Sequence, residues 1–88
     1  MQQGGFVYIL ESECGRYRYL GSTSHPDIRL EEHNRGVTKA TKHKGPWKML
    51  KVWPCDTLQK ARQLEYEIKR KKKALTIEYI EYLYKRDP

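Results

Sequence analysis

The stretch Phe6-Val7-Tyr8-Ile9-Leu10 decides the fold, because five consecutive apolar residues of high β-propensity predict a strand buried on both faces. A turn at residues 12–15 and the alternating stretch Tyr17-Arg18-Tyr19-Leu20-Gly21 follow it, which predicts an antiparallel hairpin. Side chains alternate across a strand, so Tyr8 and Tyr19 can meet on one face if the register allows it.

The chain after the hairpin predicts a short helix and a loop. Ser24 and Asp27 form an expected capping box, and the helix is expected to run to about Arg35 and to end at Gly36. Residues 37–46 are polar and basic, which predicts an exposed loop.

The second half predicts one strand and two helices. Residues 47–53 form the expected third strand, closed by Pro54, and Asp56 or Thr57 is expected to cap the next helix. The apolar stripe of that helix has helical spacing and consists of Leu58, Ala61, Leu64 and Ile68. A last helix is expected over residues 74–85, where its aromatics cap the core or support a dimer. The predicted order is therefore β-β-α-β-α-α.

Length and charge narrow the class of protein. The 88 residues fit one domain over residues 1–88, and 18 Lys plus Arg against 11 Asp plus Glu give a net charge of +7. This charge favours an anionic partner, with nucleic acid as the first candidate, although many small basic domains bind nothing anionic. Cys14 and Cys55 are too few for a disulfide scaffold, and no signal peptide or membrane span is recognisable. A cytoplasmic location and no membrane partner are therefore expected.

One carboxylate stands out in the second predicted helix, at a position where charge is not expected. Glu65 lies inside the apolar stripe, between Leu58 and Ala61 on the helical wheel, and a carboxylate facing a core is costly unless paired or bound to metal. It is either a metal ligand or the partner of Lys69 in an ion pair one helical turn away.

Other residues have two interpretations each. Arg29 and His33 lie four residues apart on one helix face, where a phosphate-binding cation and a proton carrier would suit phosphodiester chemistry; an ordinary exposed polar face is the simpler interpretation. Tyr8 and Tyr19 are core residues with a hydroxyl at the rim unless another signal adds to them. The basic run 69–73 contacts a phosphate backbone or forms a solvated helix end.

Together these residues resemble the GIY-YIG nuclease family, in its small stand-alone branch. The matching positions, in chain order, are Phe6-Val7-Tyr8, Tyr19-Leu20-Gly21, Arg29, His33 and Glu65. Arg29 follows Tyr19 by ten residues and precedes His33 by four, as in that family. The resemblance covers about residues 6–70.

The resemblance implies an α+β fold in which helices flank a three-stranded antiparallel central sheet. It also implies hydrolysis of DNA phosphodiester bonds with one divalent ion, usually Mg²⁺, for which Mn²⁺ can substitute. It assigns the metal to Glu65, neutralisation of charge at the phosphorus to Arg29, and activation of water to Tyr8, as general base or through a proton relay. A free tyrosine has a pKa of about 10, so this role requires a neighbour that lowers it, either Tyr19 or His33.

Three positions depart from the family pattern. Phe6 replaces the glycine of the first motif, and Ser22 stands where many members have a lysine. Many members also have an asparagine downstream of the glutamate, but Asn34 is the last asparagine of this chain. The loss of the lysine and of the asparagine favours a second hypothesis, a non-catalytic nucleic-acid-binding module on the same fold, in which Glu65 pairs with Lys69. A protein-interaction domain whose charge serves only solubility is the third.

The expected partner is DNA, with RNA left open as a substrate. A partner protein is expected to add specificity, the chain is expected to be a monomer or weak homodimer, and DNA repair is one expected setting. Phosphate contacts are expected from two basic segments and comprise Lys39, Lys42, Lys44, Lys69, Arg70 and Lys72.

Overall fold

Strand β1 (Gly5–Ser12) lies at the centre of a three-stranded antiparallel sheet, between β2 (Arg18–Thr23) and β3 (Trp47–Cys55). The computed structural model describes residues 4–86. The central position explains the continuous apolar run, because both faces of β1 are covered and its buried residues include Val7, Tyr8, Ile9 and Leu10. The α+β class and the order β-β-α-β-α-α are confirmed.

Three helices cover the sheet: α1 (Pro26–Asn34), α2 (Leu58–Arg70) and α3 (Ile77–Arg86). Thr57 is the residue that caps α2, since its side-chain oxygen accepts a hydrogen bond from the Lys60 N–H at 3.1 Å. The predicted apolar stripe of α2 is buried at Ala61, Leu64 and Ile68. Within residues 4–86, no helix combines the length and the apolar character that crossing a membrane requires.

Alternation along β1 divides the core in two. Val7 and Ile9 point towards α2 and α3, into the larger core, which also contains Leu20, Trp53, Ala61, Leu64, Ile68, Ile80 and Leu83. Tyr8 and Leu10 point to the opposite face, into a smaller core that also contains Trp47, Tyr19, Leu30, Met49 and Val52. The tyrosine hydroxyl of the first motif is therefore directed into the smaller core, beneath α1.

The register of the hairpin brings the two motif tyrosines together. Tyr8 pairs with Gly21, and Leu10 pairs with Tyr19, so the two tyrosines are diagonal neighbours on one face of the sheet. Their ring centroids are 6.4 Å apart. The expected meeting of Tyr8 and Tyr19 is confirmed.

The predicted start of α1 is wrong. The N-cap is His25 and not Ser24, and no side chain caps this helix, so the expected capping box with Asp27 does not form. The backbone N–H of His25 instead donates to Thr23 Oγ1 at 3.1 Å. Competition from this local bond at the end of β2 moves the helix start by one residue.

Two further element boundaries differ from the prediction. Strand β3 continues through Pro54, because β3 is an edge strand and proline is tolerated there. The last helix begins at Ile77, since Thr76 Oγ1 accepts a hydrogen bond from the Tyr79 N–H at 3.2 Å and so acts as a cap. Residues 87–88 and 1–3 lie outside the described part of the chain.

Helix α3 caps the larger core, which is one of the two roles left open by the sequence. Its Tyr84 hydroxyl donates to the Pro54 carbonyl at 2.6 Å, and Glu81 pairs with Lys51 of β3. Ile80 and Leu83 face inward and are buried. Packing and polar contacts together therefore fix α3 against β3.

Ile68→Ala tests whether α2 is held by its buried stripe. Removing the fully buried side chain leaves a cavity under the helix, so the free energy of unfolding is expected to fall by about 2–5 kcal/mol. Tyr66→Ala, on the exposed face of the same helix, is the control and should change it by less than about 0.5 kcal/mol. Urea denaturation measures both, and equal losses would contradict this assignment of helix faces.

Candidate active site

A buried hydrogen bond joins Tyr8 of β1 to His33 of α1. Tyr8 Oη lies 2.8 Å from His33 Nε2, and the two residues are 1% and 2% exposed. Tyr19 covers the pair from β2, with its ring centroid 4.9 Å from that of the imidazole. The simpler interpretation of His33 as part of an exposed polar face is therefore wrong.

The end of α1 holds His33 in place. The helix ends at Asn34, one residue before the predicted end, with Arg35 as its C-cap, and Gly36 follows in a left-handed conformation with φ of 77°. The Gly36 N–H then donates to the His33 carbonyl at 3.2 Å, and the Val37 N–H donates to the Glu32 carbonyl at 3.2 Å. This reversal lets the following loop return to the imidazole.

A buried threonine on that loop reaches the second nitrogen of His33. Thr41 is 1% exposed, and its Oγ1 lies 2.8 Å from His33 Nδ1. It ends a 3₁₀ turn over Lys39–Thr41, so the prediction of a wholly exposed loop at residues 37–46 is wrong. The sequence offered no signal for Thr41, because a single threonine among lysines has no periodicity.

Arg29 joins this cluster from the partly exposed side of α1. Its Nη1 donates to Glu32 Oε1 at 2.8 Å, and its side chain is 32% exposed. Burial raises the pKa of Tyr8, and the Arg29 guanidinium opposes this effect. The guanidinium is thus a group at the mouth of the cluster that can bind a phosphate.

The ionisation of the buried pair differs from the expectation. Burial raises the pKa of Tyr8 to about 12, and the lowering effect of Arg29 only partly opposes it. Burial also lowers the pKa of His33, and Arg29 adds to this effect while Glu32 opposes it. The expected neighbour that brings the Tyr8 pKa below its ordinary value is therefore not found, and at neutral pH the tyrosine is protonated and the imidazole neutral.

Glu65 approaches from the opposite face of the sheet, around edge strand β2. Its Oε1 accepts a hydrogen bond from Ser22 Oγ at 2.6 Å, and its Oε2 pairs with Lys69 Nζ at 2.6 Å. The Lys69 ammonium also lies 5.5 Å from the ring centroid of Tyr19. The charge of Glu65 reaches the smaller core, since it contributes to raising the Tyr8 pKa. The five predicted catalytic residues thus gather on both sides of β2.

The predicted phosphate-binding residues form two exposed groups. A recess beside Glu65 is lined by Arg62, Tyr66, Lys69, Arg70 and Lys72. The loop between α1 and β3 presents Lys39, Lys42 and Lys44 to solvent. Of these cations, Lys69 is paired with Glu65 at 2.6 Å and Arg70 with Glu67 at 3.0 Å. Sequence reasoning missed Arg62, which shares a helix face with the other cations of the recess.

Comparisons with known proteins show the family of this chain. The family of the GIY-YIG catalytic domain matches residues 4–79. The chain belongs to the GIY-YIG family. It is 36% identical over 75 residues to UPF0213 protein BH0048 of Halalkalibacterium halodurans, covering 80% of this chain and 79% of that protein.

A further relative and a solved structure of UPF0213 protein BH0048 extend the comparison. The structure-specific endonuclease subunit SLX1 homolog of Drosophila persimilis is 33% identical over 91 residues, covering 75% of this chain and 31% of that protein. The solution NMR structure of UPF0213 protein BH0048 from Bacillus halodurans aligns with a TM-score of 0.47 and 30% identity, over 96% of this chain and 85% of that chain.

The chemistry of Glu65 fits the divalent ion that the GIY-YIG family implies. Within residues 4–86, no group of three or more His, Cys, Asp or Glu side chains is placed to hold a metal ion. Mg²⁺ does not require such a group, because it keeps several waters and binds through one or two carboxylates plus substrate phosphates. Each Glu65 oxygen has one protein partner and retains acceptor capacity for an ion.

Two departures from the GIY-YIG pattern acquire a structural meaning. Ser22 stands in the usual lysine position, and Lys69 from α2 brings a cation to the carboxylate that Ser22 binds. Asn34 does not replace the missing asparagine, since its Oδ1 accepts from the Trp47 N–H at 2.6 Å and its Nδ2 donates to the Trp47 carbonyl at 3.1 Å. Asn34 therefore fastens α1 to β3.

Gly21→Ala tests why the second GIY-YIG motif ends in glycine. A Cβ at this position would lie 2.4 Å from Tyr8 Oη and 2.6 Å from its ring, so the buried tyrosine must move. We expect a loss of about 1–3 kcal/mol in unfolding free energy, as in other overpacked cores. In a Tyr8→Leu background the ring is gone and the same substitution should cost much less. Equal costs in both backgrounds would contradict the clash.

Proposed function

We propose that this GIY-YIG protein is a metal-dependent endonuclease that hydrolyses phosphodiester bonds in DNA. One observation supports it above the others: a protonated tyrosine and a neutral histidine share a buried hydrogen bond, a partly exposed arginine lies one helical turn before that histidine, and a carboxylate lies around the edge of β2. These groups are Tyr8, His33, Arg29 and Glu65. Their arrangement supplies a proton acceptor, a phosphate-binding cation and a metal ligand around the β2 edge of the sheet.

Tyr8 works as a proton relay and not as a preformed tyrosinate. With a pKa of about 12, only on the order of one molecule in 10⁵ carries tyrosinate at neutral pH. As the attacking water oxygen bonds to phosphorus, the bond from phosphorus to the leaving oxygen breaks, and that oxygen takes up a proton from solvent. The water proton passes to Tyr8 Oη while the tyrosine proton passes to His33 Nε2. The neutral imidazole 2.8 Å away is placed to accept that proton.

Arg29 and Glu65 act on the phosphate side. The Arg29 guanidinium has five donors, so it retains free donors for a phosphate after binding Glu32. Glu65 would hold the divalent ion, Mg²⁺ or Mn²⁺, with Ser22 orienting its Oε1. When bound, that ion polarises a phosphate oxygen and stabilises the leaving oxygen. Tyr19 packs against His33 and keeps water from the far side of the relay.

The exposed cations define the proposed path of the DNA. The recess beside Glu65 and the lysines of residues 39–44 carry positive charge on either side of the relay, which supports contacts to successive phosphates. The name of the SLX1 relatives supports a structured or branched DNA substrate and a partner subunit. RNA is a weaker candidate.

A non-catalytic nucleic-acid-binding module is the second candidate, and one observation favours it. Both oxygens of Glu65 already have partners within the chain, Ser22 and Lys69. In such a module Glu65 stabilises α2 as an ordinary ion pair worth about 0.3–0.5 kcal/mol. The substitution Glu65→Gln separates the two candidate functions.

Glu65→Gln is expected to lower cleavage at least about 100-fold while the protein stays folded, because several kcal/mol of charge stabilisation at the phosphate are lost. The matched control is Glu67→Gln on the same helix, which breaks an exposed ion pair and should leave cleavage unchanged. Plasmid nicking and branched-DNA cleavage with Mg²⁺ or Mn²⁺, with and without EDTA, measure both.

The outcomes of this comparison exclude one another. Metal-dependent cleavage by wild type and Glu67→Gln alone supports the nuclease. Full cleavage by folded Glu65→Gln would contradict the metal assignment. DNA binding without cleavage by any of the three proteins would favour the binding module.

Cleavage is expected to decline as the pH falls through the pKa of His33, because only the neutral imidazole accepts the Tyr8 proton. Burial and Arg29 place this pKa below its ordinary value of 6.5, so the midpoint of the acidic limb should lie below pH 6.5. Glu32→Gln removes the opposing carboxylate and should move the midpoint further down. Single-turnover rates against pH measure this, and a rate that does not change with acidification would contradict the role of His33.

A further inference from the structure

We propose that Thr41 is a positioning residue: its hydroxyl accepts the Nδ1 proton of His33 and so directs the unprotonated Nε2 at the Tyr8 hydroxyl. A neutral imidazole carries one proton on one of two nitrogens, and only the Nδ1–H form can receive a proton from Tyr8. The inference rests on the proposed nuclease function. It adds a residue that neither the sequence motifs nor the family match assigns a role.

The Tyr8 end of the chain selects this form of the imidazole. The buried Tyr8 Oη lies 2.8 Å from His33 Nε2. The charged group that acts on this hydroxyl is the Arg29 guanidinium, which can only donate, so the Tyr8 proton requires His33 as its acceptor. If Nε2 carried the proton instead, it would face the Tyr8 oxygen as a donor and the buried Tyr8 proton would lose this acceptor, at a cost of about 1–3 kcal/mol.

The Thr41 end selects the same form independently. The Thr41 hydroxyl donates to the Thr38 carbonyl at 3.4 Å across the 3₁₀ turn. Its proton is thereby directed away from the imidazole, and its oxygen, 2.8 Å from His33 Nδ1, accepts the imidazole N–H. Every group from Thr38 to Tyr8 then has a complementary partner.

The surrounding structure holds Thr41 firmly enough for this role. The Trp47 indole N–H donates to the Thr41 carbonyl at 3.2 Å, which fixes the backbone of the threonine. Asn34, directly after His33, forms two hydrogen bonds with the Trp47 backbone. Helix α1 is thus linked to the loop through His33 and Thr41, and to β3 through Asn34 and Trp47. The imidazole cannot rotate without breaking its hydrogen bond with Thr41.

The experiment combines a spectroscopic measurement with two substitutions. Long-range ¹H–¹⁵N correlation spectra distinguish the two neutral forms of an imidazole, and a His25→Gln, His43→Gln background, in which both exposed histidines are removed, leaves His33 as the remaining signal. Thr41→Val keeps the shape and removes the acceptor, whereas Thr41→Ser keeps the hydroxyl. Urea denaturation confirms that each variant is folded.

The Nδ1–H form is expected in the background protein and in Thr41→Ser, and a shift towards the Nε2–H form in Thr41→Val. Single-turnover cleavage by Thr41→Val should fall on the order of 10- to 100-fold, as when the outer partner of a functional histidine is removed, with DNA affinity unchanged and Thr41→Ser restoring the rate. The Nε2–H form in the background protein would overturn the proposal even if Thr41→Val did not fold.

The two proposals fail in different ways. An Nδ1–H imidazole in a protein that cleaves no DNA would leave the positioning by Thr41 intact and contradict the nuclease. Cleavage by wild type together with an unchanged rate and an unchanged imidazole form in Thr41→Val would contradict the positioning and leave the nuclease intact.

Discussion

The buried hydrogen bond between Tyr8 and His33 is the interaction on which the placement of α1 depends. Of the nine residues of this helix, His33 alone is buried, so little apolar contact holds the helix to the sheet. A buried polar group without a partner costs about 1–3 kcal/mol, which penalises any other rotation or distance of α1. The helix is therefore positioned by polar contacts, and the same contacts assemble the proposed proton relay.

The three residues of the second motif have separate physical tasks around this bond. Tyr19 packs on the imidazole, Leu20 points to the other face and joins the larger core, and Gly21 leaves the space that the Tyr8 ring occupies. Ser22 follows on the face of Leu20 and binds Glu65. Alternation along one edge strand thus connects a relay on one face of the sheet with a metal-binding carboxylate reached from the other.

The sequence was sufficient to predict the strands, the order of the elements and the meeting of Tyr8 with Tyr19, because those follow from apolar runs, alternation and a short turn. It did not predict that His33 is buried, since a helix with few apolar residues normally lies on the surface. The role of Thr41 depends on the tertiary contacts of a polar loop, and the direction of the Tyr8 pKa depends on burial under α1; no local pattern encodes either. The ion pair of Glu65 with Lys69 was one of the two expected alternatives and is present, whereas the hydrogen bond from Ser22 of β2 was not predicted, because it joins elements far apart in the sequence.

The central claim is that Tyr8 and His33 act as one proton relay, and a double-mutant cycle on cleavage tests it most directly. Single-turnover rates would be measured for wild type, Tyr8→Phe, His33→Gln and the double variant, each shown to be folded. Because residues that act as a unit lose their function together, either single substitution should cost about as much as both. Losses that multiply in the double variant would show that the two side chains act separately and would contradict the account.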